Sequence, residues 1–128
     1  MPARPFRVKR IYLPPDAADG ARVLVDRLWP RGVRKSEAGV DLWLKDVAPS
    51  AELRTWFGHD PARFDAFRTR YRAELVANDD AVDQLLALAR KGTVTLLYGA
   101  HDEIHNQAQV LRDYLETRGD KTHGQPRR

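Results

Sequence analysis

Two short stretches hold the side chains best suited to chemistry. In Val23-Leu24-Val25-Asp26-Arg27-Leu28-Trp29-Pro30-Arg31-Gly32, an aliphatic run leads into one carboxylate and two guanidinium groups. In Gly99-Ala100-His101-Asp102-Glu103-Ile104-His105-Asn106, two imidazoles stand four residues apart with Asp102 between them. A carboxylate next to a buried strand has its ionisation perturbed, which suits an acid or base, so Asp26, His101 and His105 are the candidate catalytic groups. Arginine forks fit phosphate or carboxylate, and aromatic rings stack on bases or sugars. Arg27, Trp29, Arg31, Trp43, Tyr98, Asp102 and Asn106 are therefore the candidate ligand-binding residues. A buried charge costs several kcal/mol unless it is paired. Asp26 is accordingly expected to be buried against Arg31 or Arg27. The bland alternative for Trp29 and Trp43 is core packing.

Three readings of the histidines stand open: exposed residues at a helix start, acid/base or ligand contacts, and metal ligands. The metal reading is weakened by the missing His-Glu-x-x-His sequence and by His101 preceding the expected helix. Neither a Walker loop nor a dinucleotide fingerprint surrounds Gly99, so no cofactor and no metal is expected. Gly99 allows close backbone approach, and the following helix start offers N–H groups to an anion.

The elements that must position these groups follow from the pattern of apolar residues. Phe6 to Tyr12 alternates and reads as a first strand with a wet face, closed by Pro14-Pro15. Val23 to Val25 forms a second strand. The link between the two is short, which favours an antiparallel pair. Val40 to Val47 is ambiguous and reads weakly as extended. Ser50 caps a short helix with Leu53, Trp56 and Phe57 on its apolar face, ended by Gly58. Asp60-Pro61 opens a second helix whose stripe is Phe64, Phe67, Tyr71 and Leu75. Asp79 or Asp80 caps a third helix, which closes at Lys91-Gly92. Thr93 to Tyr98 is a confident apolar strand, followed by a helix from about Glu103 to Thr117 with Asp102 as its cap. Both apolar strands lack alternation, as strands covered on two faces do, and are expected to be parallel and adjacent. Their carboxyl ends would then form two walls of one polar pocket. The fold expected is a single small α/β domain over residues 1–117. A short, mostly parallel sheet carries the helices packed on it. Residues 118–128 are expected to form a mobile basic tail, and residues 1–5 a short polar lead.

Composition sets the outer bounds. The chain has 128 residues, is 42% hydrophobic and 31% charged, and contains no cysteine. One domain with a real core is possible at that length, and thiol chemistry is excluded. No apolar run approaches 18 residues, so no membrane role is expected, and a reducing cytoplasm fits the cysteine count. The net charge is +4, and residues 4–35 carry nine basic groups against three acidic ones. That concentration suits an anionic ligand or a nucleic-acid surface, or else a solvated basic face.

The 23–32 stretch is joined by Trp43-Leu44-Lys45-Asp46-Val47-Ala48-Pro49-Ser50, Leu53-Arg54-Thr55-Trp56-Phe57-Gly58-His59-Asp60-Pro61, Leu96-Leu97-Tyr98 and His105-Asn106. Together they resemble the YeaO-like branch of domain-of-unknown-function family 488, over nearly all of residues 6–117. The resemblance implies a small bacterial α/β protein and no particular activity. Another branch of that family carries Cys-His-Arg near the position of His105-Asn106; this chain has no cysteine there. The expectation for function is binding of a small phosphate- or nucleotide-like anion at the strand ends, with or without hydrolytic or transferase chemistry. A nucleic-acid module on the basic N-terminal surface, or a purely structural protein, is the alternative. The oligomeric state is not legible.

Overall fold

Val94–Tyr98 (β4) is the centre of the molecule, because each of its five residues is buried. A computed structural model describes the backbone of residues 6–124 and the side chains of residues 6–118. The polar lead at residues 1–5 and the end of the basic tail lie outside the described residues.

Four strands form one sheet in the order β1-β4-β2-β3, with β1 Phe6–Arg10, β2 Ala21–Leu24 and β3 Leu42–Trp43. All neighbours are parallel. Val8 on one side and Val23 on the other face Leu96 across the ladder. The sheet is thus parallel, as expected, but the antiparallel pairing of the first two strands does not occur. β4 stands between β1 and β2. The ten-residue link at 11–20 folds into a one-turn 3-10 helix at Ala17–Asp19. Ten residues can reach ~33 Å, whereas returning along one strand and crossing two spacings needs about 17 Å and 10 Å. A long crossover was therefore unnecessary. The most apolar strand takes the place where both of its edges are bonded and both of its faces covered.

The two faces are covered unequally. Val23, Val25, Leu96 and Tyr98 face a large core completed by Ala51–Phe57 (α2), Phe64–Val76 (α3), Asp79–Ala89 (α4) and Gln107–Gly124 (α5). Leu24, Leu97 and Ile11 face a smaller cluster covered by the connection after β2. Its only helix is the single turn Lys35–Ala38 (α1).

Local signals placed several boundaries. The Ser50 hydroxyl accepts the Leu53 N–H, Gly58 ends α2 at φ 53°, and Asp60 caps a turn with Pro61 that runs into α3. The expected stripe forms, with Phe67, Tyr71 and Leu75 buried and Phe64 half-buried. Other boundaries moved. Of Val40 to Val47 only two residues are strand, and Lys45–Val47 is a 3-10 turn. Asn78, not Asp79 or Asp80, precedes α4, and its side chain donates to the Asp46 carbonyl at 2.7 Å. The last helix starts at Gln107 instead of Glu103 and continues past Thr117 to Gly124.

Candidate functional site at the carboxyl edge of the sheet

Asp26 stands two residues beyond β2, after a fully buried Val25 whose N–H bonds the Leu97 carbonyl. One carboxylate oxygen accepts the Gly99 N–H at 2.9 Å and the other accepts the Gln107 side-chain amide. The expected pairing with Arg27 or Arg31 does not form. Arg27 instead donates to the carbonyls of Pro49 at 3.0 Å and Ala48 at 3.2 Å, tying down the entry to α2. Arg31 is exposed, and its carbonyl accepts the Tyr12 hydroxyl at 2.8 Å. Neutral donors satisfy the carboxylate without taking a second charge out of water, which removes the desolvation cost an ion pair would add. Burial lifts the Asp26 carboxyl to about 6, against the opposing pull of the Gly99 N–H, the Gln107 amide and the Arg54 charge. Gly99 lies close against this carboxylate: a Cβ would stand 3.0 Å from the Asp26 carboxylate and 3.1 Å from Pro30, so a side chain there would need its neighbours to shift slightly.

The second polar stretch builds its own turn. One Asp102 oxygen accepts the N–H groups of Ile104 and His105, and the other meets the His105 ring, all at 2.9 Å. Those backbone donors, with the imidazole, hold the Asp102 carboxyl down to about 2. Because Asp102 spends its acceptors on this turn, the helix begins later. Buried Asn106 is the cap, accepting the Gln109 N–H at 3.0 Å and donating to the Asp102 carbonyl at 2.9 Å. The His105 ring lies edge-on to Phe64 at 5.1 Å, while His101 is exposed. Tyr98 belongs to the large core, and burial pushes its hydroxyl pKa up. Among the described residues, no three histidine, aspartate or glutamate side chains converge as metal ligands do.

A third group gathers on the thinly covered face. The Trp29 and Trp43 rings meet edge to face with centroids 5.4 Å apart. Each indole N–H is committed to backbone, Trp29 to Val33 at 2.7 Å and Trp43 to Asp26 at 2.8 Å. The Lys35 ammonium lies 5.4 Å from the Trp29 ring and 5.8 Å from the Trp43 ring, and Lys45 lies 4.5 Å from Trp43. Both indoles are half-buried, so they pack on the smaller core and still show surface.

The ends of β2 and β4 therefore meet, through Asp26 and Gly99. The candidate residues nevertheless divide into three settings: Asp26 with Gly99 and Gln107; Asp102 with His105 and Asn106; and the two tryptophans. Arg27 is committed to the Pro49 and Ala48 carbonyls, and Arg31 is exposed. Sequence reading missed Gln107 and Arg54 beside Asp26, since a neutral amide and one more surface arginine carry no pattern. It also missed the pairing of Lys35 and Lys45 with the indoles, although both lie in or near the basic run after Gly32.

No helix among the described residues is long and apolar enough to cross a membrane. Residues 5–127 match the family model described as the inactive DUF488-N3 subclade. The chain is 42% identical over 112 residues to the uncharacterized protein YeaO of Escherichia coli, covering 88% of this chain and 97% of that one. It is 45% identical over 112 residues to an uncharacterized protein of Mycobacterium tuberculosis strain H37Rv, covering 88% and 94%. No solved structure matches it significantly. With its parallel α/β sheet and the long motifs around Asp26, Trp43, Ser50 and His105, the chain belongs to the YeaO-like DUF488 family, in the subclade described as inactive.

Proposed function

We propose that the protein binds a small phosphate-bearing aromatic anion, such as a nucleotide, at Trp29, Lys35, Trp43 and Lys45, and does not turn it over. The carrying observation is the placement of two exposed ammonium groups against two indoles locked by their own N–H bonds. Such rings lose little freedom when a base stacks on them, and the adjacent lysines supply point charges for phosphate. The non-catalytic reading rests on the family description alone, since Asp26 and the Asp102–His105 pair keep groups able to carry a proton. The family description, inactive, agrees with a binding role.

The test is tryptophan fluorescence with adenosine monophosphate as the probe, in a Trp56→Phe background that leaves only the paired indoles. Saturable quenching is expected, and Lys35→Ala combined with Lys45→Ala should remove it. Quenching that is absent, or unchanged in the double variant, would reject the site. Release of adenine or phosphate during the titration would reject the non-catalytic reading.

A further inference from the structure

The aromatic and cationic surface continues past the two indoles. Tyr12 is 45% exposed, donates its hydroxyl to the Arg31 carbonyl at 2.8 Å, and has the Arg10 guanidinium 4.9 Å from its ring centroid. Arg31 is two residues from Trp29, and two residues of chain span at most ~7 Å. The Tyr12 hydroxyl bond to Arg31 thus brings the link after β1 against the connection after β2 within a short reach of Trp29, with Leu28 also exposed on that connection. Arg31, Arg34 and Lys35 are exposed on the connection after β2, and Lys45 is exposed just past β3. The carboxylates among them are Glu37, 3.8 Å from Arg34, Asp41, which accepts the Arg22 N–H at 2.9 Å, and the exposed Asp46 beside Lys45. The opposite face of the sheet is closed by the four longer helices, whereas this face carries the one-turn α1 and the 11–20 link, whose 3-10 turn is bonded to Arg22 and Thr95.

We infer that this face binds single-stranded nucleic acid, its strand running from the Trp29–Trp43 pair toward Tyr12 and Arg31. The inference rests on the nucleotide reading of the indole cluster and extends it from one unit to a polymer. Alternating aromatic rings and cations match the repeat of base and phosphate, and stacking requires bases that are free of a duplex. No long helix or two-stranded ribbon projects here to enter a duplex groove. Because both indole N–H groups are spent on backbone, the rings offer faces and no hydrogen-bond edges. Recognition is therefore tolerant of sequence.

Fluorescence anisotropy of a labelled octanucleotide, run beside the adenosine monophosphate titration, decides the matter. The octanucleotide should bind more tightly than the mononucleotide, with a salt slope of about −0.7 per phosphate contacted. Tyr12→Leu should weaken the octanucleotide by about five- to 150-fold, the worth of one stacked base, and leave the mononucleotide unchanged. Tyr12→Phe, which keeps the ring and loses only the bond to Arg31, should retain octanucleotide affinity. Arg31→Ala should flatten the salt slope by about 0.7. An octanucleotide that binds no more tightly than the mononucleotide, one indifferent to Tyr12→Leu in a folded variant, or a duplex bound equally well overturns this inference while leaving the nucleotide site standing. If the mononucleotide also fails to bind, the reading beneath it falls too.

Discussion

The Asp26 carboxylate and the Gly99 N–H join the ends of two adjacent parallel strands at 2.9 Å. With Gln107 on its other oxygen, Asp26 also fastens the start of α5 to the sheet. A side chain that links three elements reports on the whole carboxyl edge.

Its titration should be visible in stability. Burial raises the folded Asp26 pKa to about 6, whereas the unfolded value is about 3.9. Between those two values the folded state holds the extra proton, so stability falls as pH rises through this window. The loss is about 1–3 kcal/mol, allowing for partial exposure. Urea midpoints at pH 4.5 and pH 8 should differ in that direction, and Asp26→Asn should remove most of the difference. A variant that keeps the full difference would place the titrating group elsewhere.

Asp19 should behave in the opposite sense. It is 1% exposed and pairs with Arg22, itself 4% exposed, and with Lys9 at 2.9 Å. Burial would raise its pKa, but the Lys9 and Asp16 hydrogen bonds and the Arg22 contact outweigh it and hold the carboxyl below its usual range. The stability it contributes is present above the unfolded pKa of about 3.9 and is lost as pH falls through the lower folded value. Asp19→Ala should cost about 3–5 kcal/mol, because the Arg22 charge is left buried without its partner. The exposed Asp65–Arg68 pair is the control, since Asp65→Ala should change the urea midpoint little.

Gly20 and Gly32 separate steric from conformational cost. Both have positive φ, 65° and 79°. A Cβ at Gly20 would lie 2.2 Å from the Thr93 carbonyl oxygen, while one at Gly32 meets nothing within 4 Å. Gly32→Ala should cost about 1 kcal/mol, the strain of the backbone alone. Gly20→Ala should exceed it by at least about 2 kcal/mol, because the Thr93 carbonyl also accepts the Ala21 N–H and has little room to move. Equal melting temperatures for the two variants would contradict the close approach.

The sequence alone determined the features whose partners lie within a few residues. Ser50 reaches the Leu53 N–H and Asp60 the Ala62 N–H, so the starts of α2 and of the turn before α3 were legible from spacing. Five consecutive apolar or β-branched residues marked β4 as a strand covered on both faces, and its parallel pairing with β2 followed. Tertiary structure decided what depends on residues far apart in the chain. The partners of Asp26 are 73 and 81 positions away, and one is a backbone N–H that no residue type advertises. The place of β4 between β1 and β2 had the same origin, since the gain came from covering and bonding a late strand and the short link merely permitted it. Even the start of α5 was a nonlocal matter in part. Asp102 and Glu103 carry helix-start chemistry, but Asn106 sits buried beneath the turn and the helix forms where that buried amide caps it. Short-range hydrogen bonds are written in spacing, whereas desolvation and the choice among distant donors exist only once the chain has folded.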